Sequence, residues 1–111
     1  MTDPIFDTTR ASAELKIKPE IYVRILNNAL KQTDGDLENL KQAHAQNNVD
    51  QVQAISHRLK GDYANLRIQP LSEVAARLNV LAKGEYQPDQ GARLIQEFAD
   101  IYNRIKPQIP K

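Results

Sequence analysis

From Pro19 onward, apolar residues recur at intervals of three and four, the spacing that gathers them on one face of an α-helix. The first run takes in Ile21, Ile25, Leu26, Ala29, Leu30, Leu37, Leu40 and Ala43. Pro19 suits a first helical position, where its missing N–H would have no partner in any case. The spacing passes through Thr33-Asp34-Gly35-Asp36, which predicts one long helix over about Pro19 to Gln46; the alternative is two helices broken at Asp34-Gly35. Gly35 costs such a helix about 1 kcal/mol relative to Ala, so a bend is expected near it. Asn47-Asn48 marks a tight turn, because Asn tolerates left-handed backbone. A second run, Val52, Ile55, Leu59, Tyr63 and Leu66, predicts a helix over about Val49 to Leu66. A third starts near Pro70 and carries Leu71, Val74, Ala75, Leu78, Leu81 and Ala82. Lys83-Gly84 is its stop, with Gly84 placed to take the left-handed cap. After the loop 85–88, Leu94, Ile95, Phe98, Ile101, Tyr102 and Ile105 predict a last helix over about Asp89 to Lys106, ended by Pro107 and Pro110. Ahead of all these, Ile5 and Phe6 with Ala11 to Ile17 suggest a short helix laid over the bundle end.

Four amphipathic helices with short connections predict an all-α fold, an antiparallel up-and-down four-helix bundle with a short additional N-terminal helix. The chain has 111 residues, so one domain over 1–111 is expected, with flexible ends at about 1–8 and 107–111. Composition then removes function classes. Lys and Arg number 15 against 14 Asp and Glu, and a net charge of +1 makes no electrostatic case for nucleic acid or an anionic membrane. The absence of Cys excludes disulfides, cysteine-ligated zinc, iron–sulfur clusters and cysteine catalysis. With only His44 and His57, a multi-histidine metal site is not expected. Met1 to Arg10 hold no apolar run of signal-peptide type, and no 18 consecutive apolar residues occur. The expectation is a soluble, cytoplasmic, monomeric protein; Met1 at the start favours a stand-alone chain.

The second helix is more than scaffold. On a wheel at 100° per residue, Val52, Ile55, Leu59, Tyr63 and Leu66 fall within about 60° of arc and form the core face. His57, Lys60, Gly61 and Ala64 stand at i, i+3, i+4 and i+7 and share a second face about 140° away. A mid-helix Gly costs about 0.5–1 kcal/mol relative to Ala, so Gly61 reads as clearance beside an imidazole. Lys60, one turn from His57, favours the neutral ring and can pair with an anion brought to it. No Ser-His-Asp arrangement, Gly-rich phosphate loop or metal box accompanies these residues. An accessible imidazole, an ammonium and a cleared surface suit a nucleophile for a reactive phosphoryl group. His44 has no such neighbours and sits near a helix end, where a His suits the dipole. Phe98 and Tyr102 are spaced for the core, and Glu73, Arg77 and Asp62 read as solvated charges.

His57-Arg58-Leu59-Lys60-Gly61 resembles the His-x-Leu-Lys-Gly motif of the histidine-containing phosphotransfer (HPt) domains of two-component phosphorelays. The likeness continues through Ala64, Leu66 and Leu71, and the long preceding helix and trailing helices fit that family's bundle. The resemblance implies a stoichiometric phosphoryl carrier, not an enzyme. His57 would take phosphate from an aspartyl phosphate on a receiver domain and pass it to another. Lys60 would stabilise the phosphate and Gly61 supply clearance. Implied partners are response-regulator receiver domains and a hybrid sensor histidine kinase. No cofactor is implied for this chain, since magnesium belongs to the receiver. The docking surface expected around His57 takes in Gln53, Arg58, Ala64, Arg67, Asn79 and Lys83. Two positions depart from the pattern: Tyr63 replaces a usual small residue, and Arg67 stands where Gly is frequent. Tyr63 should project into the core, while Arg67 should touch the partner or cap the helix. The rival reading is a non-catalytic adaptor that binds a receiver or kinase without being phosphorylated. It predicts binding without covalent phosphate and indifference to Lys60→Ala.

Overall fold

The periodic segments form helices in a computed structural model that describes residues 8–109. Ile5 and Phe6, and residues 1–7 and 110–111 of the ends expected to be flexible (about 1–8 and 107–111), lie outside the described residues. The elements are α1 (Thr8–Glu14), α2 (Pro19–Ala45), α3 (Val49–Asn65), α4 (Gln69–Lys83), α5 (Pro88–Ile105) and a 3₁₀ turn (Lys106–Gln108). No strand occurs among the described residues. Helix α2 runs unbroken through Gly35. The helices α2 to α5 close an antiparallel ring in which α3 and α4 share the most extensive contact, and α1 packs on α2. Their inward faces bury Tyr22, Leu26, Leu40, Val52, Leu59, Tyr63, Leu71, Leu78, Phe98, Tyr102 and Ile105.

The helix ends follow local chemistry. Prolines occupy the first turns of α2, α4 and α5, where no N–H is needed. The Asn48 side chain accepts from the Gln51 amide at 3.3 Å and caps α3. Three ends close in the Schellman pattern, with a left-handed residue just past each helix. These are Lys16 (φ 58°), Asn47 (φ 55°) and Arg67 (φ 62°). After α3, the Ile68 amide reaches the Tyr63 carbonyl at 2.9 Å and the Arg67 amide reaches Ala64 at 3.2 Å. Gly84 does not take the expected left-handed cap; its φ is −101° and ψ −135°, and its amide still bonds Val80. Pro107 fits a 3₁₀ turn, and Ile109 beyond it is buried in the core.

Three buried tyrosines join the helices through their hydroxyls, since a phenol removed from water needs a partner. Tyr22 of α2 donates to the Leu66 carbonyl at the end of α3. Thr33 donates to Ala29 at 2.8 Å, which leaves its oxygen to accept from Tyr63 at 2.6 Å. Tyr102 of α5 lies 2.7 Å from both the Leu30 carbonyl and Asp34 Oδ1. Burial pushes the phenols of Tyr22 and Tyr63 up to about 12. Tyr102 is raised still further by burial and by Asp34. Tyr63 thus packs inward, as the wheel placed it, and stacks edge-on against Phe98. At the other end of the bundle, His44 Nδ1 meets the Tyr86 hydroxyl at 2.6 Å, tying α2 to the loop before α5. The Tyr86 ring fills the space that a Cβ at Gly91 would need.

Candidate functional site

Helix α3 separates its residues by face. Val52, Ile55, Ser56, Leu59 and Tyr63 are buried, while His57, Arg58, Ala64 and Asn65 are exposed and Lys60 and Gly61 half-buried. The i, i+3, i+4, i+7 set therefore lies outward of the core, as its spacing required. A Cβ built on Gly61 would meet no atom within 4 Å. Packing among the described residues does not demand a glycine there.

His57 borders a shallow depression of about 430 Å³, whose other walls are Asp50, Gln53 and Ala54 of α3 and Lys83 of α4. Lys83 is exposed and comes from the neighbouring helix, so the α3–α4 contact puts His57 and Lys83 on the walls of one depression. Lys60 stands one turn along α3 from His57. Neither Lys60 nor Lys83 is in an ion pair among the described residues. Neither ammonium is thus committed to a carboxylate of the described residues.

The remaining residues expected on the docking face divide. Ala64 is exposed next to Gly61 in space, one turn on. Arg58 is turned toward α2, where its guanidinium pairs with the Asp36 carboxylate. Asp36 is buried, and its second oxygen, Oδ2, has no hydrogen-bond partner among the described residues. Arg67 folds back on its own helix end, its guanidinium 3.2 Å from the Ala64 carbonyl. Capping, one of the two roles open to it in the sequence, is the one the geometry displays.

Asn79 requires a correction. It is not on the surface but 2 % exposed, between α4 and α3. Its Nδ2 donates to the Gln53 carbonyl at 3.0 Å and lies 3.3 Å from Ser56 Oγ. Ser56 Oγ in turn donates to the same Gln53 carbonyl at 3.1 Å. Nearer the other end of the contact, Ser72 Oγ donates to the Lys60 carbonyl at 3.0 Å. Sequence reasoning missed Ser56 and Ser72. Their signal was a polar residue at core-adjacent spacing in each helix.

Among the described residues, no group of three or more His, Asp or Glu side chains is placed to hold a metal ion. Nor is any described helix long and apolar enough to cross a membrane. Compared with known proteins, residues 24–107 match the family model described as the Hpt domain, about three quarters of the chain. The matched segment contains α3, α4 and α5 whole and α2 from Arg24 onward. No curated protein and no solved structure matches the chain.

Proposed function

The chain belongs to the Hpt-domain family, and on that premise we propose that it relays a phosphoryl group between receiver domains through His57. Domains of this family are phosphocarrier modules of two-component signalling that work with kinases and receiver domains. A ring nitrogen of neutral His57 attacks the phosphorus of a receiver's aspartyl phosphate. The N–P bond forms as the acyl P–O bond breaks, and the aspartate carboxylate leaves with the electron pair. The second ring nitrogen keeps its proton, and onward transfer to another receiver runs the same steps in reverse. Lys60 and Lys83 offset the charge on the phosphoryl oxygens. Gly61, Ala54 and Ala64 keep the surface low enough for a receiver to bring its aspartate within reach. The receiver supplies magnesium and the acidic pocket, and this chain supplies the nucleophile and its two cations.

The single observation that carries this reading is an exposed imidazole one turn from the open space at Gly61. A residue that weakens its helix, and that packing among the described residues does not need, stands one turn from an exposed imidazole. The test is incubation of the purified protein with a phosphorylated receiver domain and magnesium, beside a His57→Gln control. Acid-labile, base-stable label on the wild type and none on the control is the expected result. Label that survives His57→Gln overturns the site assignment. Binding to several receivers without any label favours the adaptor reading.

A further inference from the structure

The α3–α4 seam is apolar along most of its length, built from Val52, Ile55 and Leu59 against Leu71, Val74, Ala75 and Leu78. A seam of that kind repeats every three or four residues. The Ser72 Oγ bond to the Lys60 carbonyl anchors the seam nearer the loop, but at the far end apolar packing alone discriminates weakly between registers one helical turn apart, about 5.4 Å. The buried Asn79 amide changes this. An amide taken out of water without a hydrogen bond is strongly disfavoured, so only a register that satisfies it survives. In the observed register it reaches the Gln53 carbonyl and Ser56 Oγ.

The place where it attaches matters. Gln53 precedes His57 by four residues, so its carbonyl is the α-helical acceptor of the His57 amide. Asn79 thus fastens α4 to the turn of α3 that carries His57. Lys83 follows Asn79 by four residues, one turn further along the same side of α4. It lines the depression with His57. Asn79 is the fixed point, and Lys83 is the arm it aims.

We propose that Asn79 is a positioning residue for phosphotransfer: with Ser72 on the Lys60 carbonyl holding the loop end, its buried hydrogen bonds to Gln53 and Ser56 fix the register at the far end of α4 and so hold Lys83 opposite His57. The inference rests on the relay reading above for its effect on rate, while the register itself can be tested without any phosphate.

Asn79→Ala alone leaves a buried hole and can fail by unfolding. The decisive variant is therefore Ser56→Ala with Asn79→Leu, which replaces the polar pair by apolar groups of similar branched shape and leaves no hole in the seam. Two readouts are taken on the wild type and on this variant, each with and without Lys83→Ala. The first is the carbon and proton shift of the His57 ring in an NMR spectrum. Lys83→Ala should move that signal in the wild type and leave it unmoved in the Ser56→Ala/Asn79→Leu background. The second is the rate of transfer from a phosphorylated receiver. Lys83→Ala should slow the wild type on the order of tenfold, and the apolar variant should be as slow, with no further loss when the two are combined. Thermal unfolding should show the apolar variant folded, which separates positioning from collapse. Wild-type transfer in the apolar variant, with the His57 signal still responsive to Lys83→Ala, overturns the proposal. So do effects of the two changes that simply multiply. A wild type that carries no label while its His57 signal responds to Lys83→Ala removes the relay reading and the rate claim, and leaves the register as the part supported.

Discussion

Gly35 and Gly61 are both mid-helix glycines, and at both a Cβ would meet nothing within 4 Å. Each weakens its helix by about the same amount. Their surroundings differ. Gly35 stands between two acids already committed to the fold. Asp34 takes Tyr102 and Lys106, with Lys106 Nζ at 2.9 Å, and Asp36 takes Arg58. Gly61 stands beside Lys60 and one turn from His57, on a face whose charges are committed to nothing within the described chain. An uncovered glycine is thus weak testimony by itself. It becomes informative when the side chains around it are also left unspent.

The sharpest way to break that contrast is to fill both spaces. Gly61→Leu should leave the bundle folded and reduce phosphotransfer from a receiver on the order of 10²-fold, because the reacting groups are held apart. Gly35→Leu should leave transfer unchanged. Equal losses in labelling assays of the two variants would end the distinction.

Next in size is Arg58→Ala, which probes the committed side. It strips the buried Asp36 carboxylate of its cation and should lower stability by about 2 kcal/mol in urea unfolding. Lys60→Ala, on the uncommitted side, should leave stability within about 0.5 kcal/mol of wild type while slowing transfer. A smaller change is expected at the end of α3. Arg67 holds a left-handed backbone that disfavours any residue with a Cβ, so Arg67→Gly should raise stability by about 0.5–1 kcal/mol. A fall in the thermal midpoint would show that its guanidinium on Ala64 outweighs the backbone strain.

The smallest effect concerns pH. Burial works to raise the Asp34 carboxyl, but hydrogen bonds from Lys106 and Tyr102 and the Lys106 charge outweigh it, and the net shift is downward. A carboxyl lowered by folding stabilises the fold above its unfolded value near 3.9, and this is lost as pH falls through the folded value. The pair is half-exposed, so its share should stay below about 1 kcal/mol. Asp34→Asn should flatten the fall in stability below about pH 4 by that share, read from urea unfolding at successive pH values.

Much of this arrangement was legible in the periodicity. The apolar spacing carried α2 through Gly35, and the i, i+3, i+4, i+7 set placed His57, Lys60, Gly61 and Ala64 outward. What escaped was whatever depends on a polar side chain turning inward. Asn79 is expected on the docking face from its place in the resembled bundle, although it stands at 3-and-4 spacing from the buried Ala75 and Ala82, and the partner carbonyl on α3 makes its burial tolerable. Arg58 is exposed in sequence terms, yet its direction is decided by Asp36, a residue 22 positions away. The tyrosine bonds to the Leu66 and Leu30 carbonyls span 44 and 72 positions and leave no local trace. Arg67 is not a residue type that announces a left-handed turn, and Gly84, which is, stays out of one.

The Tyr86 ring stands where a side chain at position 91 would be, and its hydroxyl is held by His44. Positions 86 and 91 thus share one volume: a side chain added at 91 displaces the Tyr86 ring and, with it, the tie to His44.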